Sequence, residues 1–157
     1  MRLGKIVFAA LVISGAVFLS SCLHKSPTQG FLEIRDTASG RVYGKWPLEE
    51  AGEFSIEFIH SVNQSPVRET FAIQGDMLRL SSLRFYSFGA GIPSDLEEGQ
   101  QLSRDGDAML ITGFNTSYRE LNYIVGTVSD HLLFINGETI SLSWLCGRNT
   151  HISISIK

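Results

Sequence analysis

Cysteine is scarce in this chain, with two in 157 residues, Cys22 and Cys146. With Cys22 assigned to a lipid anchor, as argued below, no intramolecular disulfide is left, which is unusual for an exported domain. Cys146, between Leu145 and Gly147, is expected to be a buried small hydrophobe. Basic residues do not cluster: 13 Lys and Arg stand against 16 Asp and Glu. Without a basic patch there is no counterion release to drive nucleic-acid binding, and no electrostatic grip on anionic lipid. Catalytic signatures are also missing. There is no Gly-x-Ser-x-Gly elbow, no His-Glu-x-x-His, and no Cys–His pair with an orienting third group. Asp105-Gly106-Asp107 reads as a turn rather than a calcium loop. No internal repeat of fixed period is present. These absences point to a binding or structural module without a cofactor, not to an enzyme.

The one long apolar run lies at the N-terminus. Arg2 and Lys5 precede residues 6–19, which are almost wholly apolar, and Leu19-Ser20-Ser21-Cys22 follows. This is the layout of a secretory signal peptide. The run is short of the roughly 20 residues a membrane-spanning helix needs. The last four residues resemble the lipobox of bacterial lipoproteins, which implies cleavage before Cys22 and acylation of it. Removing 21 of the 157 residues leaves 136, the size of one domain. Losing Arg2 and Lys5 from the 13 basic residues leaves 11 against 16 acidic, a net charge of −5. The expected organisation is therefore a signal peptide over 1–21, a lipidated polar tether over 22–30, and a folded domain over 31–157. Leu23 stands where an inner-membrane retention signal would place Asp. The expected location is the cell envelope, outside the cytoplasm: the outer membrane in a two-membrane cell, otherwise the outer face of the cell membrane.

Beyond the tether, strand patterns dominate. Runs over 31–35 and 41–46 flank a turn-rich segment, and 53–60 and 67–74 flank a second loop. Gly75-Asp76 turns the chain into 77–88, where the apolar parity switches near Ser81-Ser82, so that either a bulge falls there or both faces are covered. Ser94-Asp95-Leu96-Glu97 matches a capping box, predicting one helical turn, and 99–106 reads as an exposed loop. Further strands are expected over 108–114 and 120–128. Two more, 131–135 and 138–142, flank Asn136-Gly137, a strong hairpin signal. Residues 151–156 alternate as a half-buried terminal strand. About nine or ten short strands with hardly any helix predict one all-β, antiparallel sandwich or barrel-like domain.

The most informative stretch runs from His60 to Glu69. Phe54, Ile56, Phe58 and His60 share one side of their strand, and Val67, Glu69, Phe71 and Ile73 share one side of the next. The apolar members must face the core, so the pattern sends His60 and Glu69 inward too. With residues 61–66 as the hairpin loop, His60 would oppose Val67 and lie diagonal to Glu69. Two readings stand beside each other. The pair is a satisfied buried hydrogen bond that fixes the hairpin, or it lines a pocket for a small polar ligand. A metal site would need His131 or His151 as well, and their spacing does not bring them in. Ser61 neighbours His60, but adjacent strand residues point to opposite faces and cannot form a nucleophile and its base. After the following strand, Gly89 and Gly91 permit positive φ or close backbone approach, and Pro93 stiffens the exit. That loop is either a tight strand exit or a small anion-binding nest of N–H groups, in which case a carboxylate ligand would sit between it and His60.

These residues carry a family resemblance. His60-Ser61-Val62, Pro66-Val67 and Glu69, the run from Ser87 to Pro93, and the terminal pattern of Leu142, Trp144 and Gly147 resemble the bacterial family catalogued as domain of unknown function 1850. Phe88 stands where that family more often carries Tyr. Members often accompany genes of tripartite ATP-independent periplasmic transporters of the TAXI type. The resemblance therefore implies an extracytoplasmic accessory or binding role, with a transporter permease or its solute-binding protein as partner. The competing expectation is a structural envelope lipoprotein without a ligand. An unrecognised hydrolase is the third reading.

Overall fold

In a computed structural model, the structure describes residues 30–48, 52–89, 92–93 and 95–157. The signal peptide, Cys22, nearly all of the tether, Ala90, Gly91 and Ser94 lie outside the described residues. Twelve strands run through the described residues in the order β1 (Gly30–Asp36), β2 (Val42–Leu48), β3 (Glu53–Ile59), β4 (Pro66–Gln74), β5 (Met77–Phe85), β6 (Gln101–Asp105), β7 (Ala108–Thr112), β8 (Ser117–Tyr118), β9 (Glu120–Ile124), β10 (His131–Ile135), β11 (Glu138–Ser141) and β12 (His151–Ile156). One short helix, α1 (Leu142–Cys146), precedes β12.

The strands form two antiparallel sheets. The smaller has the order β2-β1-β12-β9; the larger has β11-β10-β3-β4-β5-β7-β6, with β8 beside β5. A main core joins them: Leu32, Ile34, Leu121, Ile152 and Ile154 of the small sheet meet Phe54, Ile56, Phe71, Ile73 and Leu133 of the large one. Two separate sheets sharing a core make this a sandwich rather than a barrel. Each such side chain contributes roughly 1.5–3 kcal/mol through burial. The small sheet is too narrow to cover the large one. A second cluster, Val67, Leu83, Phe85 and Ile111, is closed by Ile92 and Phe114 from the connecting loops. Phe58 and Leu80 touch both clusters.

The parity switch in β5 is a bulge. Thr70 pairs with Ser82 and Phe71 with Leu80, which leaves Ser81 unpaired in the ladder, with its hydroxyl donating to the Thr70 carbonyl at 3.2 Å. The slip lets Leu78 and then Leu83 and Phe85 all face inward. Asn136 and Gly137 both have positive φ, 51° and 78°, as a two-residue hairpin requires.

Several expectations need correction. The segment expected as an exposed loop contains β6, a strand exposed along its whole length. Its polar sequence hid it, because it is held by backbone pairing to β7 rather than by burial. No helical turn follows Asp95; residues 97–100 form a turn closed by the Gln100 N–H on the Glu97 carbonyl at 3.0 Å. Strand β11 stops at Ser141, whose hydroxyl accepts from the Trp144 N–H at 3.1 Å and caps α1. Cys146 is half-buried, with burial raising its thiol pKa to about 11. The terminal strand β12 is covered on both faces: Ile152 and Ile154 enter the core, and Ser153 and Ser155 stand opposite the longer Arg35 and Glu33.

Candidate functional site

Glu69 points inward, as the alternation of β4 requires, between buried Val67 and buried Phe71. Val67 belongs to the second cluster and Phe71 to the main core. The carboxylate therefore sits at the seam of two apolar clusters, where neither closes over it. Its partner comes from the opposite sheet: the Tyr123 hydroxyl on β9 donates to Glu69 Oε2 at 2.6 Å. Burial pushes the Glu69 carboxyl above the usual carboxylate range, and the Tyr123 hydrogen bond opposes that only in part. Burial and the Glu69 charge push the Tyr123 phenol far up, so it remains a donor at any physiological pH. Beside the pair a groove of about 330 Å³ opens between the β9 edge and the large sheet. Glu69, Phe71, Leu80, Tyr118, Glu120 and Tyr123 are among its walls.

His131 is linked to this carboxylate through the Tyr123 ring. His131 stacks on Phe58 with centroids 5.3 Å apart and meets Tyr123 edge-on at 6.1 Å. Its Nδ1 accepts the Gly126 N–H at 3.1 Å, and burial lowers its pKa. The neutral ring thus carries its proton on Nε2. Asp130, next in sequence, is engaged elsewhere: Oδ1 accepts the Ser143 N–H at 2.8 Å and Oδ2 the Ser141 hydroxyl.

The expected His60–Glu69 contact does not form. In the β3–β4 ladder Val67 pairs with Phe58 rather than His60, and Glu69 with Ile56, a register two residues away from the expected one. The His60 N–H donates to the Ser65 carbonyl at 2.9 Å, closing the loop at His60 itself. The His60 Nδ1 accepts the N–H groups of Val62 and Asn63, both at 3.3 Å, so the imidazole braces its own loop. Ser61 lies exposed in that loop, with its carbonyl taken by the Gln64 side chain.

The two motif loops do meet, through a residue the sequence pattern did not single out. Asn63 Nδ2 donates to the carbonyls of Ser87 and Phe88 at 3.2 and 3.3 Å. A Cβ on Gly89 would stand 2.5 Å from that nitrogen, so glycine here allows the Asn63 side chain its close approach rather than supplying a positive φ. Asn63 thereby packs against Gly89. Ile92 is buried and Pro93 half-buried behind this contact, and Gly91 lies outside the described residues. Among the described residues, no group of three or more His, Cys, Asp and Glu side chains comes together to hold a metal ion.

The family described as a domain of unknown function (DUF1850) matches the chain over residues 54–142, more than half of its length. The chain belongs to that family. The matched region takes in both motif loops, Glu69, Tyr123 and His131, and stops before Trp144 and Gly147. No curated protein and no solved structure matches the chain. Tyr123 and His131 were missed as site residues because each lies on a strand distant in sequence from Glu69. The available signal was the alternation of Leu121, Tyr123 and Val125, which turns a phenol inward where it must find a hydrogen-bond partner.

Proposed function

We propose that this DUF1850 protein is a lipid-anchored extracytoplasmic binding module that holds a small polar solute in the seam groove and assists a tripartite TAXI-type transporter. The observation that carries the binding reading is Glu69, a carboxylate placed at the seam of two apolar clusters with one oxygen held by Tyr123, beside a groove of about 330 Å³. That volume falls at the small end of ligand sites. Binding rather than catalysis fits the local geometry: His60 spends Nδ1 on its own loop and Asp130 is tied to Ser141 and Ser143. The anchor and the transporter come from the lipobox-like segment ending at Cys22 and from the family. The test is crosslinking of the tagged, lipidated protein in its own membranes, followed by mass spectrometry. Enrichment of a transporter permease or solute-binding protein over an unrelated lipoprotein control is expected. Recovery of the same abundant envelope proteins as the control would contradict the accessory role.

One observation favours a second reading, a structural envelope lipoprotein. The Tyr123–Glu69 bond runs from β9 to β4 and so clasps the two sheets. In that case Glu69→Gln, which keeps the bond, leaves every phenotype of the protein unchanged. In the binding reading it weakens solute capture while the domain stays folded.

A further inference from the structure

We infer that the seam groove takes a small organic cation, an ammonium headgroup. This rests on the binding reading above and narrows it to one ligand class. Three features of the walls point the same way. Both ionisable side chains besides tyrosine are carboxylates, Glu69 and Glu120, and no Lys, Arg or His lines the groove. The nearest cation along the chain, Arg119, is committed elsewhere, with Nη1 on Asp76 at 2.5 Å. An anion entering here would meet like charge with nothing to offset it.

The second feature is aromatic. Tyr118 and Tyr123 line the groove, backed by Phe71, which stacks on Phe54 and packs edge-to-face on Tyr118 with centroids 6.3 Å apart. Ring faces attract cations through their quadrupole, most strongly where water is excluded, and alkylammonium groups are the ligands such walls hold best. The third is the free valence of the carboxylate. Glu69 Oε2 is taken by Tyr123, while Oε1 accepts no hydrogen bond among the described residues and is not sealed from the groove. A buried carboxyl disfavours its charged form, which is why its pKa rises. A cation at Oε1 supplies the missing counter-charge, so its binding lowers the pKa of Glu69.

The chain has four tyrosines, of which Tyr118 and Tyr123 line the groove while Tyr43 and Tyr86 do not. Tyrosine-ring NMR of the full chain in maltoside micelles, which lack an ammonium group, therefore reports the site with internal controls. Tetramethylammonium and n-butylammonium are titrated against acetate and the neutral isostere neopentyl alcohol. Saturable shifts of Tyr118 and Tyr123 alone, with the cations alone, and at least tenfold weaker binding in Glu69→Gln are expected. Glu120→Gln, on an exposed position, is the second variant and weakens the cations by a smaller factor. If acetate or neopentyl alcohol saturates the same two rings as well as the cations do, the ammonium assignment falls and the binding reading stands. If no probe shifts them in the folded protein, both fall. Undiminished cation binding in a folded Glu69→Gln also overturns the assignment.

Discussion

One buried and one half-buried carboxylate in this molecule have opposite fates. Glu33, on the outer face of the small sheet, is 1% exposed and lies between Lys45 Nζ at 2.8 Å and the Arg35 guanidinium at 2.5 Å. The Lys45 ammonium holds its carboxyl below the usual range against the opposing effect of burial, and Arg35 adds to the lowering. Glu69, on the inner face of the large sheet, has only a phenol for company, and its carboxyl is pushed up. One acid is neutralised within the fold, and the other is left needing a charge from outside. A buried carboxylate supplied with two cations is architecture. One that the fold leaves short is where a ligand can contribute.

The largest expected effect breaks the first half of that contrast. Glu33→Leu strands Lys45 and Arg35 beside an apolar side chain and lowers stability by about 2 kcal/mol, read by urea unfolding. Because the folded pKa of Glu33 is lowered, its contribution is present above the unfolded value of 4.5 and is lost as pH falls through the folded pKa. Glu33→Gln therefore flattens the loss of stability on the acid side of 4.5. Glu69 has the reverse sign. Its raised pKa gives stability that is complete below 4.5 and lost as pH rises through the folded pKa, so Glu69→Gln flattens the curve on that alkaline side.

Next in size, Tyr123→Phe removes the inter-sheet bond and costs about 1 kcal/mol in the same unfolding assay. It also raises the Glu69 midpoint further, since the phenol was lowering it. Smaller still, the double change Glu69→Leu with Tyr123→Phe leaves stability unchanged or improves it by up to about 1 kcal/mol, because it fuses the two clusters and strands no polar group. Cation binding is lost completely in that variant. A clasp kept for architecture would instead show a clear loss of stability in the double change. The smallest effect serves as a control for position. Gly89→Ala displaces Asn63 and costs about 0.5 kcal/mol, yet it leaves the Glu69 titration where it was.

How much of this was readable in advance depends on how local each feature is. Period-two alternation placed Glu69 inward, and the parity switch placed the bulge at Ser81, because both are properties of a single strand. Asn136-Gly137 announced its hairpin for the same reason. The site went wrong where two strands had to be set against each other. His60 extends the apolar pattern of β3 by one more step, so nothing local says that the ladder stops at Ile59. The hydrogen bond from the His60 N–H to the Ser65 carbonyl closes a shorter loop, which sets Val67 against Phe58 and carries Glu69 away from His60. Tyr123 is 54 residues from Glu69 and on the other sheet. No spacing rule links them; only the packing of β9 over β4 does. The polar strand β6 escaped notice because backbone pairing, not burial, holds it.

The most direct test of the central claim is the titration of the Glu69 carboxyl by carbon-13 NMR in the full chain, with Glu69→Gln to assign the signal, in the absence and presence of tetramethylammonium. A midpoint above 4.5 that moves down when the cation binds is expected. A midpoint at or below 4.5, unmoved by the cation, would mean that Glu69 is as fully satisfied by the fold as Glu33. The seam would then be architecture and not a site.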